Sequence, residues 1–277
     1  MADSSPQNHV PSQAKGIVVV KIGGSTLGSH DTTMKDLVAL QRDRVMLIVV
    51  HGGGNIISQW MERQGTIPRF VRGLRVTDAQ SLEIVTAVLS GLVNKQLVAS
   101  LQALGGKALG LSGVDGGLLE AEVANQELGY VGEVTRVNTE PLLRTLEGGY
   151  IPLVAPLGLH CVDSSSYSGS LLNINGDTVA GELAHAASAE RLIFLTDVEG
   201  IMDGSGRVIH RLNVRTARGL LTSGVVKGGM IPKLEACLRA LERVPITDII
   251  DGRKPGALME CVGASSDSAS IGTRITR

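Results

Sequence analysis

Lys21 ends a run of three valines, Val18–Val20, and Gly23 and Gly24 follow it closely. An ammonium beside bare backbone suits an anion that must come very near, because glycine has no Cβ to hold a ligand away. Lys233 follows Gly228 and Gly229 in "KGGMIPK", at the start of an amphipathic stretch, with Pro232 in the first turn. A cation at a helix N-terminus opposes the helix dipole, which makes sense when a polyanion neutralises both. A tight strand-to-turn junction and a solvated lysine are the plainer readings. Together, Lys21 and Lys233 could hold a phosphoryl group from two sides.

Four further stretches carry chemistry. "HGGGN" puts Gly52, Gly53 and Gly54 between a strand and a helix, where backbone N–H groups bind carboxylate or phosphate. One glycine would suffice for a simple turn, so three favour a function; His51 itself reads as a packing or capping residue rather than a catalytic one. "GLRVTD" offers Arg75, a planar fork suited to a carboxylate, with Arg72 equally eligible on chemistry alone. In "NINGD", Asn173 and Asn175 can donate hydrogen bonds and Asp177 can orient cations, or the group is an ordinary helix cap. "TDVEGIMD" places Asp197 at a strand end. No GxxxxGK[ST] and no protein-kinase HRD or DFG set occurs, which excludes those two nucleotide sites.

These stretches need elements to position them. Apolar runs read as strands at Ile17–Ile22, Val45–Val50, Lys107–Leu111, Ile151–Ala155, "RLIFLTDVEG", Ile246–Ile250 and Ile271–Ile275. Helices are expected over Asp31–Arg42, capped by Asp31, over Asn55–Arg63, over Pro141–Glu147, from near Asp177 and from "GGMIPK". "IPRFVRGLRV" reads as a short extended piece. A long helix is expected over Asp78–Leu104, with Leu82, Val85, Leu89, Leu92 and Val93 at helical spacing. Gly-punctuated short strands over Gly113–Thr135 suggest hairpins. Strand–helix alternation predicts an α/β fold, a three-layer αβα sandwich with a mainly parallel central sheet and its site at the carboxyl ends of strands. The lobe boundary is placed near residue 188, after a loose polar tail over 1–15.

The 277 residues carry a net charge of -1, with 43% hydrophobic and 19% charged residues, which fits a globular chain with a sizeable core. Without a basic stripe, and with 2% aromatics, a nucleic-acid partner is not expected. No apolar run is expected to reach membrane-spanning length, so no membrane partner is expected either. Cys161, Cys237 and Cys261 are scattered, which argues for a reducing compartment and a cytoplasmic location. The histidines show no metal spacing; His160 beside Cys161 is an isolated pair, and no protein metal site is expected.

The pieces "KIGGS", "VHGGGN", "GLRVTD", "SGVDGG", "NINGD", "LTDVEGIMD", "KGGMIPK" and "IGTRI" resemble, in order and spacing, the amino acid kinase family, from about residue 16 to the end. Gly176 stands where that family commonly has alanine. Within the family, the resemblance is to the branch that phosphorylates the γ-carboxylate of N-acetyl-L-glutamate with ATP and Mg²⁺, the second step of arginine biosynthesis. It implies an N-terminal lobe (16–188) binding the acyl amino acid and a C-terminal lobe (189–277) binding ATP. Lys21 and Lys233 resemble the transition-state lysines, and Asp177 the carboxylate that holds both. Gly23, Gly24 and Gly52 resemble phosphate-binding backbone. Gly53, Gly54, Arg75 and Asn173 resemble the substrate grips. Thr196, Asp197, Val198, Glu199, Gly200, Ile201, Met202, Val225, Val226, Lys227 and Gly229 resemble the ATP-binding segments.

Two alternatives accompany this reading: a kinase for an acyl-aminoadipate, free or linked to a carrier protein, and a noncatalytic amino-acid sensor on the same fold. Arginine-inhibited family members carry an extra N-terminal helix that links dimers into a hexameric ring. Here Pro6 and Pro11 and the lack of an apolar stripe argue against such a helix. A homodimer not inhibited by arginine is therefore expected, associating through the long helix unless its apolar face is core.

Overall fold

The computed structural model describes residues 16–23, 32–71, 73–163, 166–265 and 271–277. β1 (Ile17–Ile22) leads to α1 (Thr33–Arg42), β2 (Met46–His51), α2 (Gly54–Arg63) and a small hairpin, β3 (Phe70–Val71) and β4 (Leu74–Arg75). α3 (Ala79–Thr86) runs through a π-helical stretch, Ala87–Val93, into α4 (Asn94–Ala103). Next come β5 (Ala108–Ser112), β6 (Leu119–Val123), β7 (Val131–Val137), α5 (Glu140–Glu147), β8 (Ile151–Ala155), β9 (Leu157–Asp163) and β10 (Ser166–Ile174). The last part holds α6 (Gly176–Ala186), β11 (Arg191–Thr196), β12 (Arg211–Asn213), α7 (Val214–Thr222), α8 (Met230–Ala240), β13 (Ile246–Asp251), α9 (Ala257–Gly263) and β14 (Thr273–Thr276).

Eight strands form one sheet in the order β12-β14-β13-β11-β1-β2-β8-β5. Every pairing in it is parallel except β13 with β14. Strand alternation divides the core. Val18, Val20 and Ile22 of β1 join the layer with α1, α2, α3, α4 and α9, while Val19 joins the layer with α5, α6, α7 and α8. Burial on both faces is what makes these strands continuous apolar runs. The predicted αβα sandwich with a mainly parallel sheet is the architecture found.

Several expectations are corrected. α1 begins at Thr33 with Thr32 at the N-cap position, so its start is not set by Asp31, which lies outside the described residues. The same holds for the 1–15 tail, Gly24 and Arg72. The hairpin expected within Gly113–Thr135 is present as the antiparallel pair β6–β7, and what the sequence did not show is that β9 and β10 close it into a small barrel. By length and composition Ala79–Ala103 is apolar enough to cross a membrane, contrary to the expectation for any stretch of this chain. Here Val85, Leu89 and Val93 on it are buried in the core, which answers for those residues whether the apolar face is core.

Candidate active site

Lys21 is the last but one residue of β1, and alternation puts its side chain on the Val19 face, toward α6. Asp177 meets it there. Asn175 takes the N-cap of α6, accepting from Asp177 N at 2.7 Å and Thr178 N at 3.3 Å. The Asp177 carboxylate is thereby released from capping duty. Its Oδ1 forms a close ion pair with Lys21 Nζ at 2.7 Å, and its Oδ2 accepts from Lys233 Nζ at 2.9 Å. Lys233 Nζ also donates to Gly229 O, 3.2 Å away, at the N-cap of α8. The reach is possible because α6 and α8 pack tightly: a Cβ on Gly181 would stand 2.9 Å from Ala236. Burial by itself would raise the Asp177 pKa, but the charges of Lys21 and Lys233 outweigh it and hold the carboxyl below its ordinary range. One buried anion therefore clasps two cations drawn from opposite ends of the sequence.

On one side of the clasp, Gly52, Gly53 and Gly54 at the start of α2 border a cavity of about 160 Å³, with Asn173, Asn175, Gly176 and Arg75. Arg75 is buried, and its Nη2 donates to Gly54 O at 2.8 Å and Ser58 Oγ at 2.9 Å. The Phe70 ring lies under the guanidinium at 4.7 Å. Burial lowers the Arg75 pKa. Asn173 donates to Thr77 Oγ1 at 3.0 Å, and that hydroxyl donates to Arg75 O at 2.9 Å. A guanidinium, a helix N-terminus and an amide around one small cavity are groups of the kind that can receive an acidic group. Gly176 would accept the family's alanine, since a Cβ there makes only ordinary contacts, the nearest at 3.6 Å to Lys21.

On the other side, Val198, Gly200, Ile201, Met202, Val225, Val226, Lys227 and Met230 border a second cavity of about 190 Å³. Two segments that the sequence separates by more than twenty residues are thus brought together. The Thr196 hydroxyl donates to Val198 O and accepts from Val198 N, which shapes the turn out of β11. Asp197 and Glu199 are exposed beside it, and Glu199 pairs with Lys254 at 2.7 Å. Gly23 is buried at the end of β1, donating to Leu195 O at 3.2 Å. Gly229 caps α8.

Sequence reasoning missed the partners of these groups. Phe70, Ser58 and Thr77 have no signal beyond nearness to the motifs. His51 is fully buried, with Nδ1 at 3.1 Å from Gly52 O and Nε2 at 3.0 Å from Asn94 Nδ2. Desolvation lowers its pKa to about 4. Because the folded value lies below the unfolded 6.5, the unfolded chain binds the proton more tightly. The ring's share of stability, about 3 kcal/mol at most by linkage, is full above pH 6.5 and is lost as pH falls toward 4. Urea unfolding between pH 7 and pH 4 should show this loss, and His51→Asn should flatten the slope.

The profile of the amino acid kinase family matches residues 16–249. Proteins named acetylglutamate kinase are similar to this chain. The one from Dehalococcoides mccartyi (strain CBDB1) is 44% identical over 243 residues, covering 88% of this chain and 89% of its own. That of Methanothrix thermoacetophila is 44% identical over 275 residues, covering 94% and 92%. Among solved structures, N-acetylglutamate synthase from Neisseria gonorrhoeae, complexed with coenzyme A and N-acetyl-glutamate, superposes with a TM-score of 0.81 at 25% identity. The match covers 96% of this chain and 60% of the synthase.

Proposed function

The chain belongs to the amino acid kinase family, and from that membership we propose that it transfers the γ-phosphoryl group of ATP to the γ-carboxylate of N-acetyl-L-glutamate, giving N-acetyl-L-glutamyl 5-phosphate for arginine biosynthesis. The observation that carries the reading is the Lys21–Asp177–Lys233 clasp, with Gly176 beside it lining the cavity that holds Arg75, and Met230, at the start of the Lys233 helix, lining the other. The names of the relatives favour this substrate over an acyl-aminoadipate, and the intact clasp favours an enzyme over a sensor.

The residues have matching tasks. A carboxylate nucleophile with a pKa of about 4 is ionised at pH 7, so no general base is required. What opposes reaction is repulsion among the acceptor carboxylate, the phosphoryl group and the departing ADP. Phosphoryl transfer is served by positioning and electrostatics. Lys21 and Lys233 neutralise the transferring group, and Asp177 holds both ammoniums in register. Gly53 and Gly54, with Gly24, supply N–H donors; the N–H groups of Gly23 and Gly52, expected to bind phosphate, are instead bonded to Leu195 O and Ile22 O, so these two glycines leave room for the anion rather than donating to it. Arg75 and Asn173 orient the acyl amino acid in the N-terminal lobe. The Thr196–Met202 and Val225–Gly229 segments take ATP in the C-terminal lobe, after residue 188. Mg²⁺ enters as part of the nucleotide substrate, on its phosphates.

An ADP-release assay over acidic amino acids and their N-acyl forms tests the reading. Turnover should be highest with N-acetyl-L-glutamate; preference for the one-carbon-longer homologue, or no ADP release, would overturn it. Arg75→Lys keeps the charge and loses the fork, so KM for the acyl amino acid should rise by about tenfold or more while KM for ATP stays put. A rise confined to ATP would reverse the lobe assignment. We also propose a cytoplasmic homodimer insensitive to arginine; light scattering at hexamer mass, or arginine inhibition, would remove that part.

A further inference from the structure

The π-helical stretch Ala87–Val93 is the irregular turn in an otherwise continuous helix, and it lies against the triglycine turn. Residues five apart on an α-helix point about 140° away from each other. The i→i+5 bonding of a π-turn brings them onto nearly one face. Leu89 and Asn94 are such a pair: Leu89 reaches the turn after β2, and Asn94 reaches His51, the last residue of β2. A Cβ on Gly53 would stand 2.8 Å from Leu89 Cδ2. Asn94 is fully buried, and its Nδ2 faces His51 Nε2 at 3.0 Å, Leu153 O at 2.9 Å and Leu111 O at 3.3 Å. Its Oδ1 accepts from Lys95 Nζ at 3.0 Å. Gly110 leaves the room for this: a Cβ there would collide with the Asn94 amide.

The partners fix the proton on His51. Gly52 O can only accept, so Nδ1 must carry the hydrogen; Nε2 is then bare and accepts from Asn94. In a planar trans peptide the Gly52 carbonyl and the Gly53 N–H point in opposite directions. Tying the carbonyl back to the buried ring therefore turns the Gly53 N–H away from it, toward the cavity.

We propose that Asn94, delivered by the π-helical stretch, is a positioning residue for the anion-binding turn, acting through the neutral His51 ring on the Gly52–Gly53 peptide. The proposal rests on the kinase reading, since the group received at that N–H is taken to be the reacting one. The charges of Lys21, on the other face of the sheet, and of Lys95 on α4 both favour the uncharged ring.

The test compares Asn94→Ala, His51→Leu and His51→Asn in the full chain, by steady-state kinetics and melting temperature. Asn94→Ala and His51→Leu should lower kcat by about 10–100-fold, the scale of a misplaced donor, with KM for ATP unchanged. His51→Asn keeps a donor near the Nδ1 position and should retain most of the rate. If Asn94→Ala does not fold, the two His51 variants decide alone. The proposal is overturned if folded His51→Leu turns over like the wild type, if His51→Asn is as impaired as His51→Leu, or if the losses fall equally on both KM values. Wild-type protein without kinase turnover would overturn the functional reading instead, which is a separate outcome.

Discussion

Lys233→Ala is expected to lower kcat by about 10²–10³ while leaving the fold intact. The direction follows from what the truncation leaves behind. Asp177 keeps Lys21 at 2.7 Å, so its buried charge is still compensated. Lys233 is partly exposed, and α8 loses only a side-chain contact to its own Gly229 carbonyl. What disappears is a preorganised cation at the place where negative charge gathers during transfer. Such a loss is felt in the transition state and little in the ground state, so the KM for the acyl amino acid should hold steady. Steady-state kinetics with circular dichroism as a fold control measure this; a folded Lys233→Ala enzyme with wild-type kcat would remove the lysine from the mechanism.

Asp177→Asn should do damage of two kinds. The substitution keeps shape and removes charge, which leaves Lys21 buried without its counter-ion. Removing one partner of a buried pair costs about 3–5 kcal/mol, and denaturant unfolding should show a loss of that order. The rate should fall by about 10³ or more, since both ammoniums lose their common anchor. Adding MgATP should narrow the stability gap to wild type, because its phosphates bring negative charge to the same lysines. An Asp177→Asn protein with undiminished stability and rate would show that the clasp is incidental.

Much of this was legible in the residues, for identifiable reasons. Strands buried on both faces, such as Met46–His51 and Arg191–Thr196, announce themselves as apolar runs. Lys21 and Lys233 stand out because glycines flank them. Asp177 was visible but ambiguous, and the ambiguity ended only when Asn175 proved to hold the cap. β9 and β10 stayed hidden because their sequence, from "LGLHCVD" through "SYSGSLLNI", is rich in serine and glycine, and their pairing is broken by register shifts. α7 and α9 carry only weak signals in the sequence, between stronger ones. The His51–Asn94 contact joins residues 43 positions apart and depends on a π-turn, for which helical spacing carries no mark. Arg75 against Phe70 needed the hairpin to be folded first.

The central position of β1 has a bearing on how the chain is made. Its first neighbour, β2, leaves the ribosome soon after it, and β8 and β5 extend that side with residues up to 155. Its second neighbour is β11, which begins only at Arg191. At translation speeds of about 5–20 residues per second, the nascent half-sheet spends seconds with a long apolar edge unpaired. The edge of the strand that carries Lys21 thus stays open until β11 is made. Synonymous codons that slow elongation between residues 155 and 191 would lengthen this exposure without altering the finished protein.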